Sequence, residues 1–255
     1  MGLWNREQIA FASLTPDRQA NIEIVLSAYH SVFVDKAYLT MPVSTGKRFY
    51  DVLERYGVRN VEELEKKRPG ALREEIIVPN LEDGKKFAER FGRRDVALIV
   101  PGIFEARKQK WSQDEYMILW LRLITSSVKE LHLSEGWEYS NGGAMEFVRG
   151  LHIQFRFLEE REDRMPLYDH KGNPVTIEEG AAKLAAAIGD LDRRGFDSQE
   201  LRQKLSLIAG IALYLNDRLT SRHEYHLHST YPFDWQKVVA AAENLKVPIV
   251  HRPGQ

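Results

Sequence analysis

The chain has 255 residues, enough for one large α/β domain, or one domain with a helical extension, with a core that needs no covalent staples. Its 36 lysines and arginines against 37 aspartates and glutamates leave a formal net charge of −1, which gives no electrostatic case for non-specific nucleic-acid or membrane-surface binding. There is no cysteine, so disulfides, thiolate nucleophiles and cysteine-ligated zinc are excluded, and a reducing compartment suits the composition. The first twenty residues mix Arg6, Glu7, Asp17 and Arg18 with short apolar pieces and show no basic start followed by an apolar run. No stretch approaches the ~20 apolar residues of a spanning helix. The expectation is a soluble, cytoplasmic protein without a membrane partner.

Thr15-Pro16-Asp17 is a helix-start signal, followed by apolar Ile22, Val25 and Tyr29 at roughly helical spacing. Residues 36–41 read as a short strand, ended by Pro42-Val-Ser-Thr-Gly46. Helical patterns follow at Lys47–Tyr56 and Val61–Lys67, and Pro69-Gly70 breaks the chain. Glu75-Ile-Ile-Val78 reads as a second strand, closed by Pro79-Asn80, and residues 81–91 as a helix. Val96-Ala-Leu-Ile-Val100 is a continuous apolar run of the kind found in strands covered on both faces. Ser112 opens a helix to Thr125, with Glu115 at the capping-box position. Residues 128–133 are a fourth strand, 136–141 a loop and 142–155 a helix.

The β-loop-α alternation predicts a doubly wound, flavodoxin- or Rossmann-like parallel sheet, whose ligands bind outside the carboxyl ends of the strands. After about residue 160 the pattern changes. Residues 168–175 look like a tight turn or hairpin, and two helices follow, 176–191 and 198–219, the first with Thr176 and Glu179 as a second capping box. The expected organisation is an N-terminal helical segment over 1–35, a nucleotide-binding α/β domain over 36–160, and a mostly helical extension over 161–255.

Two stretches could carry chemistry. In Gly136-Trp-Glu-Tyr-Ser-Asn-Gly-Gly-Ala-Met-Glu146, the residues Ser140, Asn141, Gly142 and Gly143 place small side chains and free backbone N–H groups at a helix start. That is a natural anion site, with Glu146 one turn further on. The bland alternative is a glycine turn followed by an exposed glutamate. In Met41-Pro-Val-Ser-Thr-Gly-Lys-Arg48, the hydroxyls of Ser44 and Thr45, Gly46 and the cation Lys47 follow Pro42 into a helix and suit phosphate recognition. It is not a Walker loop, because the first glycine and the spacing are missing. A capped helix with solvated cations is the alternative.

Through these two stretches the chain, over roughly residues 36–157, resembles the nucleoside 2-deoxyribosyltransferase superfamily, which includes deoxynucleoside 5′-monophosphate N-glycosidases and uncharacterised phage and bacterial relatives. The specific part is Ser140 followed six residues later by Glu146, within a β-loop-α unit. The resemblance implies that Glu146 attacks the anomeric carbon to give a glycosyl-enzyme ester. The position six before that glutamate is often aspartate in the nucleoside transferases and serine in the monophosphate hydrolases. Ser140 therefore points to a phosphate-bearing substrate. The family's supporting aspartate corresponds best to Asp114, and Met41 replaces the glycine common before the family's proline.

The leaving base needs a proton donor, for which Asp114, Glu138 and Tyr116 are candidates by proximity. Of Trp111, Trp120 and Trp137, the loop residue Trp137 is the best candidate for stacking on a base, and Trp120 is better read as core. His223, His226 and His228 invite a metal reading, but their spacing matches no usual zinc motif, and neither metal nor cofactor is expected. The leading expectation is an N-glycosidase of (deoxy)nucleoside 5′-monophosphates. The alternatives are base exchange by a deoxyribosyltransferase, or a non-catalytic binder of nucleotide or ADP-ribose-like ligands. The expected partner is a small-molecule nucleotide, with no strong sign of nucleic-acid binding, and the C-terminal helices serve as core or as homodimer contacts.

Overall fold

A computed structural model describes residues 10–105, 111–160, 165–221 and 234–249. Four strands form one all-parallel sheet: β1 (Asp35–Thr40), β2 (Val96–Ile99), β3 (Val128–Leu133) and β4 (Leu167–Tyr168), in the order β2-β1-β3-β4. Central β1 is paired with β2 from Asp35↔Val96 and with β3 as far as Thr40↔Leu133. The chain leaves β1 toward one edge and leaves β3 toward the other, so the connections diverge between these two strands. Such a divergence opens a crevice at the strand carboxyl ends.

Helices cover both faces. On one side Tyr38, Leu131 and Leu133 join the large core with α6 (Gln113–Ser127) and α7 (Asn141–Glu160). On the other, Leu39 and Met41 pack with Val100 and Phe87 of α4 (Val78–Phe91). The ring of His132 lies on that second side, against Phe87, Phe91 and Tyr168.

Local signals explain the remaining helices. Helix α1 (Pro16–His30) starts with proline in its first turn and buries Ile22 and Leu26. Helix α2 (Lys47–Tyr56) ends at Gly57 in the left-handed conformation, and α3 (Val61–Lys67) begins where the Asn60 side chain accepts a hydrogen bond from the Glu63 N–H. A short α5 (Pro101–Glu105) follows β2. The capping boxes Ser112/Glu115 and Thr176/Glu179 open α6 and α8 (Ile177–Arg193). Helices α8, α9 (Gln199–Ser221) and α10 (Trp235–Asn244) contribute Leu184, Leu205 and Val238 to the same large core as Tyr38 and Leu131. Among the described residues no helix is long and apolar enough to cross a membrane.

Two expectations are corrected. Residues 75–78 are not a strand: Leu72–Ile77 form a π-helical segment that runs straight into α4. A short apolar run does not distinguish a buried strand from a buried helix. Here Ile76 points into the core, while Glu75 is held against α2 by Arg55 at 2.8 Å and Tyr56 at 2.7 Å. Pro79 lies in the first turn of α4, where its missing N–H costs little. The fourth strand is instead Leu167–Tyr168, pairing with Leu131 and His132 of β3. The expected turn beyond it is present. Asp169 Oδ1 accepts from the N–H groups of Lys171 and Asn173, and Tyr168 bridges Pro174.

Candidate functional site

Strand β1 has Tyr38 and Thr40 on the α7 side of the sheet and Leu39 on the other. This period-2 alternation decides what each residue meets at the strand end. Tyr38 is fully buried, and its hydroxyl donates a 2.6 Å hydrogen bond to Oε1 of Glu146, itself only 5% exposed in the second turn of α7. That length is typical of a charge-assisted O–H···O⁻ bond. It fixes the carboxylate's orientation where the helix that follows β3 packs against β1. Tyr38 was not among the sequence candidates. Alternation along the strand could have nominated it, but only the paired sheet says which face α7 covers.

Aromatic side chains continue from this pair. The Tyr38 ring lies 6.1 Å from Trp120, which meets Phe104 edge-on at 5.5 Å, and Phe104 in turn lies 5.8 Å from Trp111. Phe104 and Trp111 are half-buried and flank the carboxyl end of β2. Tyr116 is buried in the same cluster, 5.5 Å from Trp111. Trp120 is core, as expected. Trp137 is core as well: it is 1% exposed, with its ring 4.6 Å from Phe147, and this overturns its reading as an open stacking platform. The single turn of 3₁₀ helix at Trp137–Tyr139 directs the indole inward, a conformation invisible in a loop sequence.

The two loops singled out from the sequence touch. Thr45 Oγ1 and Ser140 Oγ are 3.0 Å apart, and Ser140 Oγ also accepts from the Gly143 N–H at 3.3 Å. Ser140 is therefore the cap of α7, with its hydroxyl already engaged. Gly46 has φ +87°, and a Cβ there would lie 2.6 Å from Pro42, so the turn depends on glycine. Gly143 is equally constrained, since a Cβ would lie 2.7 Å from the Trp137 carbonyl oxygen. Gly142 is looser, with only the Met117 methyl at 3.2 Å.

On the opposite side of the sheet the first of these loops borders a cavity of about 640 Å³. Pro42, Thr45, Gly46 and Lys47 line it as expected, together with Ser134, Glu138 and His170. Asn80 and Gly84 of α4 also line it, although the strand end expected there does not exist. Its rim is paired: Lys47 with Asp51 at 2.8 Å, Arg48 with Asp83 at 2.8 Å and Arg55 with Glu75 at 2.8 Å. Burial raises the pKa of Glu138 above the ordinary carboxylate value, opposed by the nearby Lys183 and His170 charges. Ser44, Ser140, Gly142, Gly143 and Glu146 do not line this cavity, nor does Asp114, which is exposed in the first turn of α6. Asn141 opens instead onto a second cavity, between α2 and the α8–α9 turn.

Among the described residues no three histidine or carboxylate side chains gather as a metal would require, and His223, His226 and His228 lie outside the described residues. Comparison with known proteins gives no match to this chain, whether among family models, curated proteins or solved structures.

Proposed function

We propose that this chain is a nucleotide N-glycosidase built on a doubly wound, Rossmann-like sheet, with Glu146 as its nucleophile. The observation that carries the proposal is the buried Glu146 carboxylate, oriented by the Tyr38 hydroxyl at 2.6 Å between β1 and α7. A carboxylate held beside an anomeric carbon can stabilise an oxocarbenium-like centre or bond to it. In the reaction a Glu146 oxygen forms a bond to the anomeric carbon as the bond from that carbon to the base nitrogen breaks. The base departs with the electron pair and takes up a proton. Water then cleaves the glycosyl ester and restores the carboxylate. Tyr38 is a positioning residue. The half-buried rings of Phe104 and Trp111, joined to Tyr38 through Trp120, offer an apolar wall for a planar base. Thr45, whose hydroxyl meets that of Ser140, and Lys47 on the wall of the 640 Å³ cavity would serve a phosphate.

The test is base release from deoxynucleoside 5′-monophosphates, with and without a second free base to separate hydrolysis from transfer. Glu146→Gln should keep the fold by circular dichroism and lose activity by roughly 10⁴- to 10⁶-fold. A 2-fluoro sugar substrate should leave a glycosyl adduct on the peptide containing Glu146. Full activity in a folded Glu146→Gln chain removes the assignment. A second reading, a non-catalytic nucleotide binder, is favoured by one observation: Glu146 does not line the 640 Å³ cavity. Nucleotide binding without base release by the wild type would select it.

A further inference from the structure

The second cavity, about 680 Å³, lies where Thr45, Phe49 and Tyr50 of the β1–α2 region face Tyr139 and Asn141 and the α8–α9 turn at Phe196 and Asp197. Neither the Glu146 carboxylate nor the 640 Å³ cavity accounts for it. Its wall is aromatic. Tyr50 lies 5.1 Å from Phe49, 5.1 Å from Phe196 and 6.5 Å from Tyr139, at interplanar angles of 74°, 57° and 50°. None of these pairs is stacked in parallel; the rings meet edge-on or tilted. Phe196 is the exception to openness: it is buried, with the guanidinium groups of Arg59 and Arg194 at 5.2 and 5.5 Å from its ring centre. Arg59 is itself pinned by donating to the Arg194 carbonyl at 2.6 Å. Phe49, Tyr50 and Tyr139 remain half-buried, which leaves ring surface on the cavity side.

Polar groups sit at the edge of this aromatic wall. The Tyr139 hydroxyl is engaged, donating to Asp190 at 3.2 Å, and its pKa is pushed up to about 12 by burial and then by the Asp190 charge. The Tyr50 hydroxyl and the Asn141 side-chain amide, by contrast, make no hydrogen bond among the described residues. A primary amide offers a donor and an acceptor side by side, the pattern that reads the edge of a nucleobase bidentately. Aromatic rings with uncovered faces provide stacking that tolerates many bases.

We infer that this cavity is a binding site for a planar nitrogen heterocycle of the nucleobase class, stacked on Phe49 and Tyr50 and read at its edge by Asn141. The site needs no carboxylate nucleophile, so it stands or falls independently of the N-glycosidase reading. The experiment is calorimetric titration of the full chain with adenine, cytosine and uracil in turn. At least one should bind. Phe49→Ala should weaken that binding about tenfold or more, as loss of a stacking ring does. Asn141→Ala should weaken it several-fold, and because Asn141 is exposed at the first position of α7 this variant keeps the result readable if Phe49→Ala unfolds. Glu146→Gln should leave the affinity within about twofold, a change well under the 1.4 kcal/mol of a tenfold effect. Absence of binding for all three bases overturns the inference. So does binding that Asn141→Ala leaves intact, since that ligand sits elsewhere.

Discussion

The buried contact between β1 and α7 and the rim of the cavity on the other side of the sheet use polar groups in opposite ways. Inside, one carboxylate and one hydroxyl form a short hydrogen bond from which solvent is excluded, at Glu146 and Tyr38. At the rim, half-exposed pairs such as Lys47–Asp51 and Arg48–Asp83 are each worth about 0–1 kcal/mol because water and salt screen them. The difference shows that position relative to the sheet, not residue type, sets what a charge can do. The buried pair supplies fixed geometry, and the rim supplies a field of nearly balanced sign.

The comparison is sharpened most by the glycines that bring α7 close to the sheet. Gly143→Ala should destabilise the chain by about 1–3 kcal/mol through overpacking, because the obstacle is the Trp137 backbone carbonyl rather than a mobile side chain. Gly142→Ala should be neutral or stabilising by up to ~1 kcal/mol, since helix propensity favours alanine and only the Met117 methyl must move. Urea unfolding midpoints of the two variants test this directly. Equal effects would mean that the close approach of α7 to Trp137 is not a constraint.

Next in size is Tyr38→Phe, which removes the donor from a buried carboxylate and should cost about 1–3 kcal/mol. If the N-glycosidase reading holds, kcat should fall more than KM rises, as a positioning role requires. A variant as stable as the wild type would show that the bond contributes nothing to the interior side of the comparison.

The smallest effect belongs to the rim. Burial raises the pKa of Glu138, so the folded chain prefers the protonated form more than the unfolded chain does. Stability from this group is therefore fully present below the unfolded value of 4.5 and lost as pH rises through the folded value. Glu138→Gln should accordingly unfold at higher denaturant than the wild type near neutral pH. The advantage should shrink as the pH is lowered toward 4.5. A stability difference independent of pH would rule out the charge as its cause.

What the sequence by itself determined was local. The capping boxes at Ser112/Glu115 and Thr176/Glu179 and the strands at 36–41, 96–100 and 128–133 are written in contiguous residues, and the structure contains them within a residue or two. So is the helix-starting character of the Pro42–Gly46 and Ser140–Gly143 loops, because glycine and hydroxyl residues at helix starts act through their own backbone. Tertiary structure alone decided the rest. Glu75-Ile-Ile-Val78 has a strand's composition but is held in a helix by Arg55 and Tyr56 of α2, and a two-residue strand at Leu167–Tyr168 carries no periodicity of its own. Glu146 and Tyr38 are 108 positions apart, and their hydrogen bond exists only because β1 pairs with β3 and α7 returns over that pair. Trp137 turned inward for the same reason: the core beneath α7 had room for an indole, and a loop's sequence does not record the space it faces.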